Sequence, residues 1–370
     1  MTLKYRAAVL HAAQTPMSIE TITAAALRPT DVLVRIRAAG LCHTDLEVIE
    51  GSLRYPLPIV LGHEAAGVVE QVGPATRGVK TGDHVVLSWN PHCGHCFYCD
   101  RDSPILCEEY LGGGPKGRAF DGESRAMLAD GRDLQQLMFL GCFSEYCIVS
   151  DQQAIPVPKE IPFDRACLIG CGVMTGAGAA LNLGAIAHGD CVMVIGCGAV
   201  GLAAVQGARL AGAGTIIAVD LDPAKLALAA RMGATHGVNA STDDVIAAGK
   251  RETAGRGVDV VIESAGSASA FRNTTEAVRP GGQVIWLGKI DVSKDVAFRW
   301  GSLMQEKRIR RVSYGNARPR RDFPLLARAY LDGALMLDEL ISRRITLDGV
   351  NDGFDALKRG EAIRSVITFD

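Results

Sequence analysis

This sequence has almost no excess charge of either sign. Lys and Arg total 39 against 41 Asp and Glu, a net charge of −2. Such a balance gives no overall pull toward nucleic acid or an anionic membrane. Arginines do cluster at 308–311 and 318–321. No nucleic-acid motif accompanies them, so they read as solvated surface or a domain edge, and no nucleic-acid partner is expected. A secretory leader is also lacking. The opening MTLKYRAAVLHAAQ has neither a long apolar core nor a cleavage pattern, so a cytoplasmic location is expected. Unbroken apolar runs are missing as well. Stretches 166–187 and 191–208 carry no charge, yet glycines interrupt both. Buried core is therefore the expectation, with no membrane partner. Internal repeats and low-complexity tracts are absent. In such a chain the eleven cysteines are not expected to pair as disulfides, and thiols that cluster point to metal.

What is present changes character along the chain. The first part carries short runs rich in β-branched residues, at 6–10, 31–38, 65–72 and 84–87, bounded by Gly, Pro or Asp as strands require. The Pro-rich segment 155–162 reads as a loop. From about Asp190, apolar strands (192–195, 215–220, 258–263, 283–287) alternate with alanine-rich helices (200–211, 223–232). That alternation implies an α/β unit with a parallel sheet covered by helices.

Two motifs carry chemistry from spacing alone. Cys93, Cys96, Cys99 and Cys107 follow the pattern C-x2-C-x2-C-x7-C. Four thiolates this close can surround one Zn²⁺ and leave no position open, so the site would be structural. An iron–sulfur cluster is the competing occupant, since four cysteines alone do not exclude it. The second motif is Gly196-Cys197-Gly198-Ala199-Val200-Gly201, which follows a strand and opens a helix. Its glycines allow a tight turn and the approach of a pyrophosphate to the helix N-terminus. Asp220 ends the next strand, where a carboxylate would take the adenosine ribose hydroxyls and repel a phosphate there, favouring NAD over NADP. The bland reading of Asp220 is a turn residue at a strand end.

Three further segments, GLCHTD (40–45), GHEAAG (62–67) and GCG (170–172), each offer a metal-ligating side chain: Cys42, His63 and Cys171. Singly, a cysteine is usually a small buried hydrophobe and a histidine a satisfied polar group. Spacing alone does not bring the three together. Taken in order with the four-cysteine lobe, GCGAVG and the closing GEAIRSVITF, however, the sequence resembles the zinc-dependent alcohol dehydrogenases of the medium-chain dehydrogenase/reductase superfamily. DGESR (121–125) and FLGCFSEY (139–146) resemble the longer-loop branch that holds the class I and class III enzymes.

The resemblance implies a GroES-like, largely β catalytic domain at 1–172 and 314–370, with a Rossmann NAD-binding domain at 173–313 inserted between. It implies Cys42, His63 and Cys171 as ligands of a catalytic zinc with an open fourth position, and hence two zinc ions per chain. Glu64 resembles the family's glutamate near that zinc, an alternative ligand, and Asp45 a residue that holds His63 by its other ring nitrogen. Thr44 resembles the hydroxyl that bonds the substrate oxygen. His43, Thr175, Lys225 and Arg364, with Gly196, Gly198, Ala199, Val200 and Gly201, resemble cofactor contacts. Leu53, Trp89, Phe139 and Leu140 resemble a substrate-pocket lining, although core packing is their ordinary role. The implied reaction moves hydride between a primary, apolar or aromatic alcohol/aldehyde pair and NAD(H) in a homodimer. A thiol-adduct substrate of the class III type ranks lower, because EGSLRYPLP (50–58) lacks that class's acidic pair. A non-catalytic, zinc-stabilised NAD sensor is the alternative of another kind. One departure stands out: Glu47 occupies the position where many family members place a proton-relay histidine.

Overall fold

The computed structural model describes residues 3–113, 116–119 and 121–370. The chain divides into two compact units, Met1–Cys171 with Arg318–Asp370, and Gly172–Ala317.

The first unit is built from antiparallel strands. Lys4–Leu10, Ser18–Ala24, Ala126–Met127, Asp133–Gln136 and Ile59–Val60 close a small barrel. A seven-stranded sheet is centred on Asp31–Gly40, where Val32, Val34 and Ile36 are fully buried and alternate with Leu33, Arg35 and Arg37. Period-2 alternation of this kind buries one face of a strand. Ala65–Val72 and Tyr146–Ser150 flank that strand on its two edges. The C-terminal strand Arg364–Thr368 also pairs with it antiparallel, Val366 opposite Gly40. The closing segment of the chain is thereby laid beside the GLCHTD segment.

One expectation is corrected here. Segment 155–162 is not wholly loop, because Ala154–Pro156 pairs with His84–Leu87. This strand ends the sheet order, and a proline lacking an amide hydrogen is tolerated at such an edge.

The second unit is a six-stranded, wholly parallel sheet in the order His236–Asn239, Thr215–Asp220, Cys191–Ile195, Val258–Glu263, Val278–Trp286, Arg308–Arg311. Its central strand Cys191–Ile195 is buried throughout, as expected of a strand covered on both faces. Helices Ala199–Leu210, Pro223–Arg231, Val245–Arg251 and Ala268–Ala277 connect the strands. The arginine run at 308–311 is the outermost strand, so the reading as a domain edge holds. Segment Phe163–Leu183 is long and apolar enough to cross a membrane, but 72% of its apolar window is buried within the protein, so the reading as core stands.

Candidate active site

In the first unit the sheet brings together residues far apart in sequence. Strand Asp31–Gly40 runs into Leu41 and Cys42, and the helix His43–Glu50 follows at once. Gly40 is needed for close approach, since a Cβ there would lie 2.2 Å from Glu64 Oε1. Cys171 arrives on a π-helical turn, Ile169–Val173, beside the start of strand Ala65–Val72. Turns of this type recur at functional sites because they splay side chains out of the helical ladder. The ligand atoms of Cys42, His63 and Cys171 all lie within 4.8 Å of one another.

Asp45 ties this group together. It is fully buried, and its carboxylate accepts from Cys42 N at 3.2 Å and Gly62 N at 2.9 Å. It also meets His63 Nδ1 at 3.2 Å, which leaves Nε2 of the imidazole as the nitrogen free for a metal. Burial alone would lower the His63 pKa, but Asp45 and Cys42 together raise it well above its ordinary value. The Cys42 thiol is held well below its ordinary pKa, first by hydrogen bonding from Cys171 and, against burial, by Arg364 and His63, while hydrogen bonding to Cys42 and burial push Cys171 well up. Two thiols and an imidazole in one buried cluster, one thiol already poised to ionise, suit a divalent cation of borderline softness.

Arg364 is 4% exposed and belongs to this cluster. It donates to the Leu41 carbonyl at 3.1 Å and lies 3.4 Å from Glu64 Oε1 and 3.9 Å from Cys42 Sγ. Burial opposes its charge, and Glu64, Cys42 and Cys171 outweigh that and hold it protonated. Along the helix, His43 is exposed while Thr44 and Glu47 are half-buried.

The four-cysteine lobe is compact. Cys93, Cys96, Cys99 and Cys107 have all sulfurs within 4.8 Å of one another. Cys93 Sγ lies 3.9 Å from Cys99 Sγ, close to the ~3.8 Å edge of a tetrahedron with Zn–S bonds of ~2.3 Å. The Cys93 amide donates to Cys107 Sγ at 3.3 Å, tying the two ends of the lobe together. His95 and Glu109, 3.4 Å apart at the rim, join a further grouping with Cys93.

An aromatic path starts from this lobe. Tyr110, on helix Glu108–Gly113, sits 6.1 Å from the ring of Trp89 and 5.5 Å from that of Phe139. Leu53 and Trp89 pack half-buried against the core, whereas Phe139 and Leu140 lie within it. Tyr110 escaped the sequence reading, because a tyrosine among glycines after a metal lobe gives no period or motif to read.

In the second unit the turn at 196–201 is as tight as its glycines suggested. Gly196 has φ +92°, and a Cβ at Gly201 would lie 1.7 Å from the Gly196 carbonyl oxygen. Asp220 ends its strand and accepts from Cys197 N at 2.6 Å, Leu221 N at 2.8 Å and Asp222 N at 3.0 Å. Lys225 stands half-buried on the helix after Asp220, and Thr175 half-buried on Met174–Gly178. Ala199 and Val200 open the helix after the loop, with Gly198 as its N-cap.

With this geometry in place, comparison defines the class. Residues 28–159 match the alcohol dehydrogenase GroES-like domain, and residues 199–331 match the zinc-binding dehydrogenase domain. An S-(hydroxymethyl)glutathione dehydrogenase of Saccharomyces cerevisiae is 36% identical, over 100% of this chain and 97% of the relative. An NDMA-dependent alcohol dehydrogenase of Amycolatopsis methanolica is 38% identical over 99% of each. The crystal structure of benzyl alcohol dehydrogenase from Acinetobacter calcoaceticus superposes with a TM-score of 0.94 at 30% identity, covering 100% of both chains. The chain therefore belongs to the zinc-dependent alcohol dehydrogenase family of the medium-chain superfamily, and it is an oxidoreductase. That membership removes the non-catalytic sensor from consideration.

Proposed function

We propose that this enzyme oxidises primary alcohols of apolar or aromatic character, and reduces the matching aldehydes, with NAD(H) and two zinc ions per chain. The observation that carries the reading is the convergence of Cys42, His63 and Cys171 around one point, with Asp45 fixing the imidazole. Three ligands leave a fourth position for the reacting oxygen. Zinc held there would supply Lewis acidity at that oxygen, and the nicotinamide would carry the hydride. The second zinc would sit among Cys93, Cys96, Cys99 and Cys107 with no position open, a structural role; this closed shell of sulfur at zinc-like spacing favours zinc over iron–sulfur. Glu64 remains the candidate alternative ligand, held in reserve by Arg364. A homodimer in the cytoplasm completes the reading, closed two-fold pairs being the commonest assembly.

The chain's own residues would order the proton. Thr44 Oγ1 would hydrogen-bond the substrate hydroxyl and take up its proton. Further transfer would run through the cofactor ribose to water, with Glu47 spectating. Thr44→Ala is expected to lower kcat about 10²-fold or more, in the range for loss of a positioned proton-transfer group. Glu47→Gln should leave kcat within about twofold, an ordinary outcome for a residue outside the chemistry. Steady-state kinetics from pH 6 to 10 decide the matter: a large, pH-dependent loss in Glu47→Gln with NAD affinity preserved makes Glu47 the relay.

For the cofactor, Gly196–Gly201 would cradle the pyrophosphate, and His43 and Arg364 would face it. Asp220 would bind the ribose hydroxyls, with Lys225 beside it and Thr175 a further contact. Three of the roughly four acceptor directions of the Asp220 carboxylate are taken by backbone amides, which holds it in one orientation and leaves about one direction for a ribose hydroxyl. Asp220→Gly is expected to lower the NAD/NADP ratio of kcat/KM by about tenfold or more, the effect of a lost charged hydrogen bond. A wild type that prefers NADP overturns this assignment.

The Trp89–Tyr110–Phe139 path, with Leu53, supports an aromatic or apolar substrate, whereas Leu140 packs behind it in the core. S-(hydroxymethyl)glutathione is the second reading, favoured by the names of relatives such as the yeast enzyme. Comparing kcat/KM for benzyl alcohol and for the formaldehyde–glutathione adduct separates the two.

A further inference from the structure

The parallel sheet of the second unit has two edges, and the dinucleotide loop occupies only one. Gly196 follows the carboxyl end of Cys191–Ile195, and Asp220 closes the next strand at the same edge. At the opposite edge, where Val258–Glu263, Val278–Trp286 and Arg308–Arg311 begin, lies a cleft of about 730 Å³. That volume falls within the range of small-molecule sites, roughly 300–1,000 Å³.

Its lining is cationic. Lys250, Arg256, Arg279, Arg299 and Lys307 face it, against a single carboxylate, Glu276. Arg299 and Glu276 satisfy each other in a paired bond of 2.9 and 2.6 Å. Arg279 is held by Asp259 at 2.6 Å and by the Pro280 carbonyl at 2.8 Å. Those two guanidinium groups are therefore fixed walls. Glu276, already bonded to Arg299, is the carboxylate whose charge also reaches Lys250 and Lys307, so one acid serves three cations. Lys307 is half-buried and anchored on the Thr275 carbonyl at 2.7 Å, so it cannot swing away to solvent without losing that bond. The cations thus crowd one concavity without enough acid to balance them, and their repulsion would be relieved by an anion. Guanidinium and ammonium groups lining one cleft are the donor types that bind phosphate oxygens.

We propose that this cleft binds a small molecule carrying two adjacent anionic groups of the diphosphate type, at a site separate from the dinucleotide loop. A concave site of this size suits a small ligand rather than an extended polyanion. The inference does not depend on which alcohol the enzyme oxidises.

The probe is inorganic pyrophosphate, titrated by calorimetry into enzyme saturated with NADH, at ionic strength held constant with KCl. Saturation with cofactor keeps the probe out of the loop at 196–201. The expected result is one site per chain, tighter than sulfate measured in the same way. Lys250→Ala combined with Arg256→Ala should raise the pyrophosphate Kd about tenfold or more, the usual effect of losing two charge-assisted contacts. Both side chains are exposed, so the melting temperature and the NADH affinity should stay as in the wild type. Unchanged pyrophosphate affinity in that variant overturns the proposal. So does competition between pyrophosphate and NADH, which would assign the binding to the cofactor loop. Binding of heparin or long-chain polyphosphate with none of pyrophosphate also overturns it, since the surface would then serve a macromolecular polyanion.

Discussion

Replacing Cys171 with alanine is expected to lower kcat by about 10³-fold or more while the chain still folds. In the proposed site Cys42, His63 and Cys171 would supply three metal ligands, and removing one would leave a thiol and an imidazole, too few to hold a metal with a defined open position. The Lewis acidity at the reacting oxygen, worth several kcal/mol, is then lost, and each ~1.4 kcal/mol is a factor of ten in rate. Folding should survive because alanine removes only one sulfur atom from a partly buried position on a π-turn. Arg364 and Glu64 remain paired beside the gap. Metal analysis should fall from two zinc ions per chain to one, with the circular dichroism spectrum unchanged. Full activity with one zinc per chain would overturn the assignment of this site.

The second large effect falls on stability. Cys99→Ser is expected to cost the lobe its metal and to lower the melting temperature by about 5 °C or more, since ~1 kcal/mol shifts a domain of this size by roughly 2–4 °C. The lobe between Cys93 and Cys107 has little else to hold it. Its regular structure is two 3-10 turns, Cys99–Arg101 and Pro104–Leu106, and among its cysteines only Cys107 is buried. A segment with so small an apolar core would depend on a bound metal for structure, and structural zinc in isolated peptides is worth ~10–16 kcal/mol. Limited proteolysis should therefore cut the variant within residues 93–107 while the wild type resists. Because Tyr110 on the next helix reaches Trp89 and Phe139, loosening the lobe should also raise KM for aromatic alcohols. A variant that melts and resists protease like the wild type would show that the four sulfurs carry no structural metal.

Legibility differed from element to element for physical reasons. The strands Ala65–Val72, His84–Leu87, Thr215–Asp220 and Val258–Glu263 were read to the residue, because each is a compact β-branched run with a turn former at its limits. Strand His236–Asn239 was not read at all. It is the outer strand of its sheet, His236 and Gly237 are exposed, and no apolar pattern marks it. The opening of Val278–Trp286 was missed because Pro280, Gly281 and Gly282 spell a turn, yet the chain there lies beside Val258. Short polar edge strands and glycine-rich strand starts take their conformation from the neighbour they pair with.

By itself the sequence determined the local devices: four cysteines within fifteen positions, a glycine turn between strand and helix, and a carboxylate closing the next strand. Such features work through residues a few positions apart, so their spacing is their geometry. No spacing decided that Cys42, His63 and Cys171 meet, which only the family resemblance implied; the tertiary structure brings them within 4.8 Å and has Asp45 bond Cys42, Gly62 and His63 together. It alone placed Arg364, more than three hundred residues along the chain, against Cys42 and Glu64. The physical reason is the antiparallel pairing of Arg364–Thr368 with Asp31–Gly40. Backbone ladders satisfied across a buried sheet fix which distant segments lie side by side, and no periodicity within either segment encodes its partner.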